Sequence, residues 1–184
     1  MPLNHSSSYS QLTDKQYTAI GRVAVEWSNI EHLLGILLCR LLMTPEFPGR
    51  TYTDLLSAAA LQNAVIEAIS IQRLRYGCRI VPEERLSEIE TLLGQITKLR
   101  SERNRIAHFC WARSSDEAVF GTSFSGGLPN TKKHKKSVAV LTLKDLERLY
   151  LEMHKTTETM MGLIKKIPEI EEEQVLTLCS RETP

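Results

Sequence analysis

The chain has 184 residues, of which 42% are hydrophobic and 24% charged, proportions that suit one ordinary globular domain and argue against disorder. Its 23 basic and 22 acidic residues leave a net charge of +1, so no global field draws in nucleic acid and any such binding must come from local clusters. The longest uncharged apolar run, Leu33 to Cys39, is far short of a bilayer span, and MPLNHSSSYS lacks the basic and apolar regions of a secretory signal, so neither membrane spanning nor export is expected.

After a polar arm over residues 1–11, Thr13-Asp14 offers a helix start. Ile20, Val23, Trp27, Ile30, Leu34, Leu37 and Leu41 then recur at alternating steps of three and four. Leu33, Ile36 and Leu38 widen that stripe until the helix is apolar nearly all round, as in a helix buried between neighbours. Pro45 and Pro48-Gly49 are expected to end it. Thr53-Asp54 can open a second helix that runs to about Tyr76 and stops at Gly77. Pro82 followed by Glu83-Glu84 fits the first turn of a third, with a stripe of Ile89, Leu92, Ile96, Leu99, Arg103 and Ile106. A final helix starts near Thr142, with Asp145 as a capping-box partner, and continues to Ile167.

Between the last two long helices the period changes. Phe109 to Arg113, Ala118 to Phe124 and Val138 to Leu141 are short and rich in β-formers. Gly126-Gly127, Pro129-Asn130 and the basic run from Lys132 to Lys136 separate the last two, which predicts a small β-hairpin over about residues 109–141. The organisation expected is one domain over residues 12–168 behind a flexible arm, with an acidic tail over 169–184.

Arg103 stands where the three-and-four pattern assigns a core residue, and an unpaired buried charge is costly, so it must find a partner or face an interface. His108 follows five residues later. On an unbroken helix the two would point about 140° apart with a rise of about 7.5 Å. Either a turn after Ala107 bends His108 back, or the pair works across a dimer axis.

The chemistry of this pair is defined. An imidazole can take a proton from a ribose 2′-hydroxyl and protonate a leaving 5′-oxygen, while a guanidinium holds phosphate oxygens bidentately as charge builds on them. Together they suffice for RNA cleavage by internal attack without a metal. Cys39, Cys78, Cys110 and Cys179 are scattered with no CxxC spacing, which argues against zinc and a disulfide framework and for a reducing cytoplasm. Glu26 and Glu31 lack a complementary HxxE or DxD spacing, so no metal or cofactor is expected. Arg148 and His154 repeat the loose Arg–His spacing mid-helix and read as structural; Trp27 and Trp111 read as core or interface anchors.

The segment Arg103-Asn104-Arg105-Ile106-Ala107-His108 resembles the R-N-x-x-x-H signature of the HEPN superfamily. The stretch Val25-Glu26-Trp27-Ser28-Asn29-Ile30-Glu31-His32-Leu33-Leu34 is similar to the first helix of several HEPN families, and the likeness spans roughly residues 13–168. It implies an all-α fold, an up-and-down bundle of four to five helices with the β-hairpin inserted before the last. It further implies a homodimer in which the motifs of both chains line a shared cleft. The activity implied is a metal-independent endoribonuclease, a toxin of a toxin–antitoxin pair or a phage-defence effector, with an antitoxin or sensor protein as a possible partner. The alternative is a non-catalytic RNA-, nucleotide- or protein-binding dimerisation module. Carried over, Arg103 is the phosphate ligand, His108 the acid–base group and Asn104 their polar companion. Arg105, Lys132, Lys133, Lys135 and Lys136 are candidate RNA contacts, and Glu31 is proposed to pair with Arg103. Cys110 stands where the toxins paired with a minimal nucleotidyltransferase carry a tyrosine, which argues against that subtype.

Overall fold

The computed structural model describes residues 8–125 and 135–180. Most of the expected arm, the Gly126 to His134 stretch and the end of the acidic tail lie outside them. The described residues are mostly helical: α1 (Asp14–Leu41), α2 (Glu46–Thr53), α3 (Ala58–Leu74), α4 (Glu83–His108), α5 (Leu143–Ile164) and α6 (Glu172–Ser180). Between α4 and α5 lie β1 (Cys110–Arg113), β2 (Ala118–Ser125) and β3 (Lys135–Thr142), an antiparallel sheet in the order β1-β2-β3. No helix of the described residues is long and apolar enough to cross a membrane. The chain divides into two compact units, one formed by residues up to Trp27 with Lys98–His154, the other by Ser28–Thr97 with the residues from Lys155 on.

In the first unit, α1 opens on a capping box. The Thr13 backbone N–H donates to Gln16 Oε1 at 2.9 Å, and the Gln16 N–H donates to Thr13 Oγ1 at 3.3 Å, satisfying two of the free donors at the helix start. Gln16 is buried, and its Nε2 also donates to the carbonyls of Ser115 at 2.7 Å and Ala118 at 3.1 Å. The three β-rich segments of the sequence each form a strand, so a three-stranded meander replaces the expected hairpin. Register pairs Trp111 with Gly121 and Phe120 with Val140. The two-residue period puts Val119 and Ala139 inside, while Phe120, Val138 and Val140 stay exposed. The expected start of the last long helix is met at β3–α5: Thr142 N–H donates to Asp145 Oδ2 at 2.9 Å and Asp145 N–H to Thr142 Oγ1 at 3.1 Å. The Thr142 hydroxyl, donating to Asp145 Oδ2 at 2.6 Å, and the Thr142 backbone N–H hold the Asp145 carboxyl below its ordinary pKa.

In the second unit, Ile30, Leu34, Leu37, Leu38 and Leu41 of α1 are buried, as the widened stripe predicts. Gln72 on α3 is fully buried and donates to the Leu41 carbonyl at 2.6 Å, closing the C-terminal end of α1. The prolines expected to separate two helices instead start a short one. Pro45 is the N-cap of α2, and Pro48 falls in its first turn, where a missing N–H costs nothing. Thr53 therefore ends α2 rather than opening α3, whose cap is Ser57, accepting from the Ala60 N–H at 3.3 Å.

Arg73 on α3 grips two carboxylates of α4, reaching Glu83 at 2.6 Å and Glu90 at 2.7 Å. The Arg73 hydrogen bonds pull the Glu83 carboxyl down to a pKa of about 2 from an ordinary 4.5, and lower Glu90 as well. A depressed carboxyl stabilises the folded chain above the unfolded pKa and stops doing so as pH falls through the folded one. The denaturation midpoint is therefore expected to drop between pH 4.5 and pH 2 by more in the wild type than in Glu83→Gln; equal drops in urea titrations would refute the linkage. The groups are exposed, so the difference should shrink in high salt.

Candidate functional site

The site is built on the last two turns of α4, within the first unit. Leu99 and Ile106 are buried there, and Arg103 lies on the same stripe between them. Its misfit resolves on an aromatic ring rather than on an anion. The guanidinium carbon sits 5.7 Å from the centre of the Trp27 ring, and Trp27 is itself fully buried. A cation over an indole face is worth about 0.5–2 kcal/mol, enough to keep a half-buried guanidinium in an apolar stripe. Among the described residues Arg103 makes one long hydrogen bond, 3.4 Å from Nη1 to Asn104 Oδ1, so most of its donor edge is unspent.

α4 stays helical through His108. The bend after Ala107 that would have brought the imidazole back over Arg103 does not occur, because the helix is closed beyond that point. Trp111 of β1 donates its indole N–H to the Ile106 carbonyl at 2.8 Å, satisfying one of the acceptors a helix leaves open at its C-terminal end. The Trp111 ring also lies 5.7 Å from the Phe109 ring and faces Gly121 across the strand pair. His108 is thus the exposed last residue of α4, where a helix C-terminus favours a cation. Over five helical residues it points about 140° from Arg103. One chain therefore does not close the two groups on a single phosphate.

The remaining candidates take different places. Asn104 and Arg105 are exposed, and Arg105 pairs with Glu102 at 3.3 Å, a surface contact weak enough for phosphate to displace. Lys132 and Lys133 lie outside the described residues, as do the side chains of Lys135 and Lys136, whose backbone opens β3. Glu31 belongs to the second unit and is half-buried; the partner that Arg103 finds in its own unit is Trp27. The sequence reading took Trp27 for an anchor alone. Nothing in its spacing could pair it with a residue on another helix, although its place on the apolar stripe of α1 marked it as inward-facing.

A second cluster surrounds His154, which the sequence marked as structural. Its Nδ1 lies 3.4 Å from Oε1 of the buried Glu26, and its ring stacks 5.9 Å from Tyr150, over which Arg22 sits. Arg22 and Tyr150 also border a groove of about 460 Å³ between the first turns of α1 and α5. Arg103, Asn104 and His108 do not line that groove. Among the described residues no group of three or more His, Cys, Asp or Glu side chains is placed to hold a metal ion. No protein-family model, curated protein or solved structure matches the chain, and what this site does rests on the chemistry of its own residues.

Proposed function

We propose that the chain is a HEPN-type, metal-independent endoribonuclease whose catalytic centre is completed by a second copy, its helices arranged as an up-and-down bundle, and that it serves as a toxin or phage-defence effector. The observation that carries this reading is the state of Arg103: held on the Trp27 ring with its charge unneutralised and most of its donor edge free, beside exposed Asn104 and five residues from exposed His108. A guanidinium so held accepts a scissile phosphate through two in-plane N–H groups as charge develops on the oxygens. An imidazole withdraws the proton of the 2′-hydroxyl, the alkoxide attacks the adjacent phosphorus, and the 5′-oxygen leaves with a proton from an imidazole. The products are a 2′,3′-cyclic phosphate and a 5′-hydroxyl. With Arg103 and His108 diverging along one helix, the imidazole facing a given Arg103 comes from the other copy.

The divergence of Arg103 and His108, together with the ring that already satisfies Arg103, favours a second reading: a non-catalytic module that binds RNA, nucleotide or protein. Labelled RNA incubated with the purified protein in excess chelator separates the two. Cyclic-phosphate ends are the expected result; retention of intact RNA in a protein that binds it leaves the module.

A further inference from the structure

We infer that Trp27 is the positioning residue for Arg103, presenting the guanidinium to a phosphate by its ring face; the inference rests on the ribonuclease reading above. Trp27 is the largest side chain the first unit buries completely, and its Nε1 has no protein acceptor among the described residues. Leucine or phenylalanine would fill such a space without leaving a donor orphaned. What indole adds is the strongest cation-binding face of the aromatic side chains, and the guanidinium carbon of Arg103 lies over it at 5.7 Å.

The choice of a ring over a carboxylate matters for function. A carboxylate would occupy the N–H fork of the guanidinium and cancel its charge, so that an incoming phosphate would have to displace it. A ring attracts the cation through its face and leaves the in-plane donors for the anion. Leu99 and Ile106 are buried on either side of Arg103 along α4, so the stripe that carries the guanidinium is the inward-facing one. Trp27 thus acts on the reaction through Arg103 and touches no substrate itself.

The test is a cycle of four full-length proteins, wild type, Trp27→Leu, Arg103→Met and the double variant, with binding of a 2′-deoxy oligonucleotide that cannot be cleaved read by fluorescence anisotropy. Trp27→Leu is expected to weaken binding about tenfold in the wild type, a typical loss for a cation–ring contact, and less than about twofold once Arg103 is Met. Trp27→Phe, which keeps an aromatic face, should restore most of the affinity, and Trp27→Met, apolar and adaptable but without a ring, takes the place of the Leu variant if that one does not fold. Equal losses on both backgrounds, or a Phe variant as weak as Leu, would show Trp27 to be packing only and overturn the positioning role. Chelator-treated RNA is assayed in parallel. If the wild type binds and does not cut, the ribonuclease reading fails separately; if it neither binds nor cuts, both fall together.

Discussion

His108→Ala is expected to lower RNA cleavage by about 10²–10⁴-fold, the usual contribution of a positioned acid–base group, while leaving the thermal midpoint unchanged. The second half follows from position: His108 is exposed, with no hydrogen-bond or ion-pair partner among the described residues, so truncation removes no packing. A composite centre makes a further demand. Arg103→Ala and His108→Ala should each be inactive alone, yet mixed and re-equilibrated they should recover activity. A mixed pair keeps one intact Arg–His combination of two, and half of all pairs are mixed, so recovery should approach about a quarter of the wild type. Recovery of nothing, from variants that exchange subunits, would mean that the two groups do not meet across copies. A fully active His108→Ala protein would remove the imidazole from the chemistry altogether.

Gly121→Ala is expected to be the most damaging small change in the first unit. A Cβ at Gly121 would lie 2.6 Å from Cζ3 and 2.8 Å from Cε3 of the Trp111 ring, closer than packed carbons approach, and both partners are held by the strand pair. Overpacking of this kind costs about 1–3 kcal/mol. Displacing the ring also pulls the indole N–H from the Ile106 carbonyl, a bond worth about 0.5–1.5 kcal/mol. Urea denaturation should therefore show a loss of about 2–4 kcal/mol. Trp111→Leu should relieve part of it, making the double variant more stable than the sum of the single effects predicts. An unchanged midpoint in Gly121→Ala would mean that the sheet is not pinned by this ring.

The helices were legible wherever period and caps agreed. α1, α4 and α5 start at the capping signals of Thr13, Pro82 and Thr142, and the inward positions of α1 follow its three-and-four stripe because a buried helix has to satisfy every turn. The Pro45 to Ser57 stretch misled because proline both ends a helix and begins one; only the Ser57 cap, a weaker signal, distinguished where α3 starts. The strands were visible as three β-rich segments, but whether two or three of them pair depends on register across a turn, which spacing alone does not carry. At the site, the sequence singled out Arg103 by its misfit and looked for an anion. The ring that answers it lies 76 positions earlier, and contacts of that separation leave no periodic trace.

Gln16 shows what one amide can tie together. Its oxygen completes the first turn of α1 while its nitrogen holds the carbonyls of Ser115, in the turn after β1, and of Ala118, which opens β2, and it is fully sealed from water. A Gln16→Glu substitution would set a carboxylate against those carbonyls, exchanging attraction for repulsion at the place where the helix and the sheet are stitched. The beginning of the chain's first helix and the meander that follows the Arg–His segment would then loosen together, so a change at one buried amide would reach the end of α4 on which His108 stands.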